Sequence, residues 1–156
     1  MNLLRRTLLR GLTTGSALAV LAVTGLLSPL RAWSAENRLA AFENKNLADA
    51  MAQMGAEHSV ESADVIIKAP ASAEDGAVVP IDAESHVPNT TRLLFFIDKN
   101  PFPLAAAFDF LPDALPEMGI RLRFAETSTI RVVAIANGRA YHAITEIKIT
   151  AGGCGS

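Results

Sequence analysis

Between residues 35 and 55 apolar positions recur at helical spacing. Leu39, Ala40, Phe42, Leu47, Ala50, Met51 and Met54 fall largely three or four residues apart, with Glu43, Lys45, Asp49 and Gln53 filling the gaps. A stripe of that period predicts one amphipathic helix over Asn37 to Met54. Gly55 is its expected stop, because glycine takes the left-handed backbone conformation at little cost.

After Gly55 the period changes. Short runs of β-branched and aromatic residues alternate with turn formers, the pattern of an antiparallel all-β domain. The expected strands are Asp64 to Lys68, Ala77 to Asp82, Arg92 to Asp98, Ala105 to Phe110, Ile120 to Phe124, Thr129 to Ala136 and Ala140 to Thr150. Asn137-Gly138 tolerates positive φ at both central positions and so predicts a tight hairpin between the last two. In the final strand Tyr141, Ala143, Ile147 and Ile149 alternate with His142, Glu146 and Lys148, one face inward and one outward; Ile144 breaks the rule and is a candidate to face a partner. Pro80 cannot donate to a ladder, which argues for an edge strand. Lys99-Asn100-Pro101-Phe102-Pro103 reads as a rigid loop, since each proline fixes its own φ and extends its predecessor. Seven such strands predict an immunoglobulin-like antiparallel β-sandwich over residues 56–150, behind an N-terminal helix over residues 35–55.

Residues 1–34 are excluded from that fold. Arg5-Arg6 precede a weakly apolar stretch from Gly11 to Leu30, interrupted by Gly11, Gly15, Gly25, Pro29 and Thr13-Thr14. Paired arginines before such a stretch predict a twin-arginine export signal and hence a periplasmic protein. Ala32 and Ser34 suit leader peptidase cleavage after Ser34. The alternative is an uncleaved membrane anchor, since 20 residues suffice to span a bilayer, but the glycines, proline and threonines weaken insertion. After signal removal no membrane attachment is expected.

The 156-residue chain has 14 basic and 16 acidic side chains, and loss of Arg5, Arg6, Arg10 and Arg31 leaves 10 against 16, a mature net charge of −6. Such a surface does not attract nucleic acid, and it has no Lys/Arg block to hold an anionic membrane. Proteins or small molecules are the expected partners.

Cys154 is the only cysteine, in the tail Ala151-Gly152-Gly153-Cys154-Gly155-Ser156. A lone cysteine is often a small buried hydrophobe, yet this tail has no side chains to bury. Gly152, Gly153, Gly155 and Ser156 predict a flexible arm over residues 151–156. Extended, Ala151 to Cys154 reaches on the order of 10 Å. Thioredoxin-type catalysis needs a second cysteine, and prenylation needs the cysteine one residue further from the end. Tethered carriage of a substrate on Cys154, or an interchain disulfide to a fixed partner, survives, with a thiol redox sensor as a further alternative. No catalytic residue and no cofactor is expected beyond a covalent adduct on Cys154. The nearest basic residue, Lys148, is six positions away, so thiol activation is expected to come from partner enzymes. His58, His86 and His142 share no metal-ligand spacing with one another or with Cys154, so no metal site is expected.

Three blocks of this chain resemble the SoxY family, the sulfur-carrying subunits of SoxYZ complexes in bacterial thiosulfate oxidation. They are Lys68-Ala69-Pro70 with Ala73 to Pro80, then Asp98 to Ala105, and Ile147 to Thr150 leading into Gly152-Gly153-Cys154-Gly155. The resemblance implies an immunoglobulin-like sandwich paired with a SoxZ-like subunit in a heterodimer, with Cys154 carrying the cargo. It also implies partner enzymes: a SoxAX-like cytochrome that conjugates thiosulfate, a SoxB-like enzyme that releases sulfate and, in some systems, a SoxCD-like enzyme that oxidises the remaining sulfur. The carrier itself turns nothing over. Ser156 departs from the family pattern, which ends in glycine.

Overall fold

The computed structural model describes residues 38–150. The leader, its cleavage site and the tail carrying Cys154 lie outside the described residues. Among those described, no helix is long and apolar enough to cross a membrane.

The expected single helix is two. Residues 38–43 form α1 and Leu47–Gln53 form α2. The break is made by Asn44 and Asn46, whose side chains compete for backbone groups. Asn44 Oδ1 accepts from Asn46 N–H at 2.9 Å, and Asn46 Oδ1 caps α2 by accepting from Ala48 N–H at 2.8 Å. Gly55 ends α2 as expected, with φ +73°. Ala56 N–H donates to Met51 O and Gly55 N–H to Ala52 O, a paired closure of the last helical turn.

Nine strands follow: β1 (Val60–Glu61), β2 (Val65–Lys68), β3 (Ser72–Ala73), β4 (Val79–Ser85), β5 (Thr90–Ile97), β6 (Leu104–Asp109), β7 (Glu117–Leu122), β8 (Ser128–Ala136) and β9 (Arg139–Ile149). The seven expected strands are all present, although β4 starts two residues late and β7 starts and ends earlier than its apolar run. The larger sheet runs β1-β9-β8-β5-β6, with β3 also on β9, and the smaller runs β2-β4-β7. This is the immunoglobulin-like β-sandwich with a short helical N-terminus. Asn137 (φ 51°) and Gly138 (φ 73°) make the β8–β9 hairpin turn.

Pro80 is not on an edge strand, because β4 is the middle strand of its sheet. β2 pairs with β4 only from Asp82 to Ser85, whereas β7 continues alongside to Val79. Proline is tolerated because it sits beyond the end of β2, where β4 has a single neighbour.

Two apolar layers flank the larger sheet. Phe95, Ile97, Ile130, Val132 and Ile147 meet Val79, Ile81 and Leu122 between the sheets. On the opposite face Leu94, Phe96 and Val133 are covered by Ala41, Ala50, Met51 and Met54 of the helices. Burial on both faces explains why β5 reads as a continuous apolar run rather than an alternation. Asp109 at the end of β6 ties α1 down by accepting from Arg38 at 2.5 Å and Arg92 at 2.6 Å. Burial pushes this carboxyl up, but the two guanidinium groups outweigh it and hold it below the usual range.

Candidate functional site

The residues to which the tail is joined are bonded on both edges of the strand. β9 runs antiparallel to β8 from Arg139 to Ile147, and its other edge receives the short parallel strands β1 and β3. Beyond the last β8 pairing, Thr127 takes over: its hydroxyl accepts from Ile149 N–H at 2.9 Å. On the opposite edge Lys148 N–H donates to Ala71 O at 3.1 Å and Thr150 N–H to Ala73 O at 2.9 Å. The Thr150 hydroxyl reaches the same carbonyl at 3.3 Å. Hydrogen bonding on β9 therefore continues to Thr150, four residues before Cys154.

Two loops join this end through one intervening segment, residues 123–126. Asn100 grips it with both ends of its amide, donating to Arg123 O at 2.7 Å and accepting from Ala125 N–H at 2.9 Å. From the other side Phe124 N–H donates to Gly76 O at 2.7 Å. Here glycine is required by space: a Cβ on Gly76 would lie 2.4 Å from Phe124 O. The turn is completed by Asp75, whose carboxylate accepts from Ala77 N–H at 2.7 Å. The 98–103 loop is closed by Ile97 N–H to Pro103 O at 2.8 Å, and Lys99 N–H donates to Ser128 Oγ at 3.0 Å. Thus the segment is the loop expected from its prolines, and Asn100 is what couples it to the rest.

The three sequence blocks singled out above, the last of them as far as Thr150, lie far apart in the chain and meet at this one end of the sandwich. Gly76, Asn100 and Thr150 each anchor a different block.

The histidines are not brought together. His58 is exposed, 3.9 Å from Glu57, and His86 lies 3.7 Å from Glu84. His142 lies on the outer face of β9, where burial and then Arg131 push its pKa down against the opposing pull of Glu61 and the Ser59 backbone. No group of three or more metal-ligating side chains occurs among the described residues. Ile144 is 43 % exposed on this same outer face. Asp98 Oδ1, Arg131 Nε and His142 Nδ1 are buried without a hydrogen-bond partner. Burial raises the Asp98 pKa, and Arg131 opposes that shift.

Comparison with known proteins bears on the same region. The family model described as "Sulfur oxidation protein SoxY" matches residues 50–154, which includes every strand and Cys154. The chain belongs to the SoxY family. Among solved structures it is similar to the sulfur carrier protein SoxY from Chlorobium limicola f thiosulfatophilum, at 39 % identity and a TM-score of 0.62, covering 67 % of this chain and 96 % of that one. No curated protein matches the sequence. SoxY membership makes this a protein of sulfur oxidation with a carrier role. It agrees with the fold expected from the residues.

Thr127, Asn100 and Thr150 were not singled out as site residues by sequence reasoning. The one available signal was Asn100 inside a proline-locked loop, where a side chain able to donate and accept is well suited to replace missing backbone pairing.

Proposed function

We propose that this SoxY-family chain is a periplasmic, non-enzymatic sulfur carrier, exported by the twin-arginine pathway, that holds thiosulfate-derived intermediates covalently on Cys154. It works as a heterodimer with a SoxZ-like subunit and needs no resident cofactor. The observation that carries this reading is the anchoring of β9 through Thr150 on both edges, which leaves the segment ending in the thiol to begin from a fixed point. Gly152, Gly153, Gly155 and Ser156 around the cysteine add no bulk beyond one hydroxymethyl group, so the sulfur can enter a narrow channel.

The chemistry balances with the thiol as handle. Cys154 and thiosulfate form an S–S bond, giving the cysteine S-thiosulfonate with release of one proton and two electrons, which a SoxAX-like cytochrome accepts. A SoxB-like enzyme adds water across the terminal S–S bond, releasing sulfate and two protons and leaving a persulfide anion on Cys154. A SoxCD-like enzyme, in systems that have one, oxidises that outer sulfur. Tethering keeps each intermediate at high effective concentration for the next enzyme.

Mass spectrometry of the carrier from thiosulfate-grown cells tests the reading. Reductant-sensitive sulfur and sulfonate adducts on the C-terminal peptide are expected, and Cys154→Ser should lose them while retaining the fold and the SoxZ-like subunit. A single disulfide-linked protein on Cys154 would instead make the chain a fixed adaptor. A lone reversible oxidation unrelated to thiosulfate would make it a redox sensor.

A further inference from the structure

Carriage on Cys154 raises the question of where on this surface the visiting enzymes rest. Cys154 is the fourth residue after Thr150, so its Cα can lie no more than about 14 Å from Thr150 Cα. Any enzyme acting on it must bring its own surface against this end of the sandwich. The opposite end is out of range, since β8 alone, at nine residues, is about 30 Å long. Exposed Leu111 and Leu115 in the β6–β7 loop lie there, next to the start of β5, where Phe110 N–H donates to Thr91 O.

At the near end two apolar side chains stand exposed, Phe102 at 47 % and Val78 at 57 %. Both lie at the arm-root end of the sandwich. Phe102 is on the loop between β5 and β6, which lie two and three strands from β9, about 10–15 Å away. Val78 follows the Gly76 turn on the side of the smaller sheet. Both are held by the same segment: Asn100 bonds to Arg123 and Ala125, and Gly76 to Phe124. Phe102 is further fixed between Pro101 and the buried Pro103. An exposed aromatic on a restrained backbone has less entropy to lose on docking and is the kind of side chain that anchors an interface.

We infer that Phe102 and Val78 form a docking rim for the enzymes that act on Cys154, seating the mouth of the enzyme's channel over Thr150. This rests on the carrier reading above. The partner it fits is an enzyme whose reactive centre lies within about 14 Å of its surface, with apolar recesses beside the channel mouth. The rim sets encounter and register, whereas the chemistry stays with the enzyme and the thiol.

The test uses the carrier complex, the purified thiosulfate-conjugating cytochrome, thiosulfate and a cytochrome c acceptor, with loading read as adduct mass on the C-terminal peptide. Phe102→Ala is expected to lower kcat/KM for the carrier about tenfold, and the double variant with Val78→Ser further, with kcat at saturation kept. Phe102→Leu should recover part of the loss, and Leu111→Ala should change nothing. Alkylation of Cys154 by iodoacetamide should be equal in all variants. Loading by Phe102→Ala and the double variant within twofold of the parent overturns the rim and leaves the carrier reading standing. A parent carrier that takes no adduct on Cys154 overturns both.

Discussion

Thr127 holds both ends of one residue: its hydroxyl accepts from the Ile149 N–H at 2.9 Å and lies 3.4 Å from the Ile149 carbonyl. A side chain here continues the β8–β9 ladder after the backbone of β8 has ended. Thr127→Val keeps the shape and removes the acceptor, leaving a half-buried N–H unsatisfied. A loss of about 1–3 kcal/mol is expected. Amide exchange should accelerate at Ile149 and Thr150 but not at Val133 in the centre of β8. Unchanged exchange at Ile149 would show that the hydroxyl does not hold the arm root.

Asn100 makes a prediction about polarity rather than size. Its amide donates to Arg123 O and accepts from Ala125 N–H, so Asn100→Asp preserves one bond and turns the other into a contact between a carboxylate and a carbonyl oxygen. The near-isosteric Asp variant should therefore be at least as destabilised as Asn100→Ala, by about 1–3 kcal/mol. Urea unfolding of the two variants at neutral pH checks the order. An Asp variant as stable as the parent would refute the donor role.

Gly76→Ala should be poorly tolerated although the residue is partly exposed. The added methyl would stand 2.4 Å from Phe124 O and 3.4 Å from Ile149 Cγ2, and the first of these is backbone, which cannot swing aside. Overpacking of this kind costs about 1–3 kcal/mol. Thermal unfolding measures it, with Gly138→Ala as a comparison in which strain arises from positive φ alone.

His142 gives the fold a pH dependence. Burial, reinforced by Arg131, lowers its pKa from 6.5, so below that value the unfolded chain binds a proton that the folded chain resists. Stability from this residue is complete above about pH 6.5, falls as pH drops below it, and levels off once the folded-state pKa is passed. His142→Gln should lose less stability than the parent between pH 7.5 and 5.5 in urea unfolding. Equal losses would mean that the histidine is not the group titrating there.

The β class, the sandwich, the hairpin at Asn137-Gly138, the helix stop at Gly55 and the loop at 99–103 are legible in the sequence alone. Each is written in local chemistry: period, positive-φ tolerance, or a proline ring. Cys154 was likewise legible as a candidate because a lone thiol among glycines has nothing local to pack against.

Only tertiary structure decided the rest. The single helical stripe is cut because Asn44 and Asn46 take backbone partners that a periodicity count cannot see. Pro80 sits in a central strand because β2 stops short of it, a fact about a neighbour's length. The arm root depends on bonds between residues 22 to 77 positions apart, Thr127 with Ile149 and Thr150 with Ala73. Polar side chains of that sort are ordinary in a sequence. Their role arises when two strand ends are brought within hydrogen-bonding distance, and nothing in either segment by itself encodes the other's position.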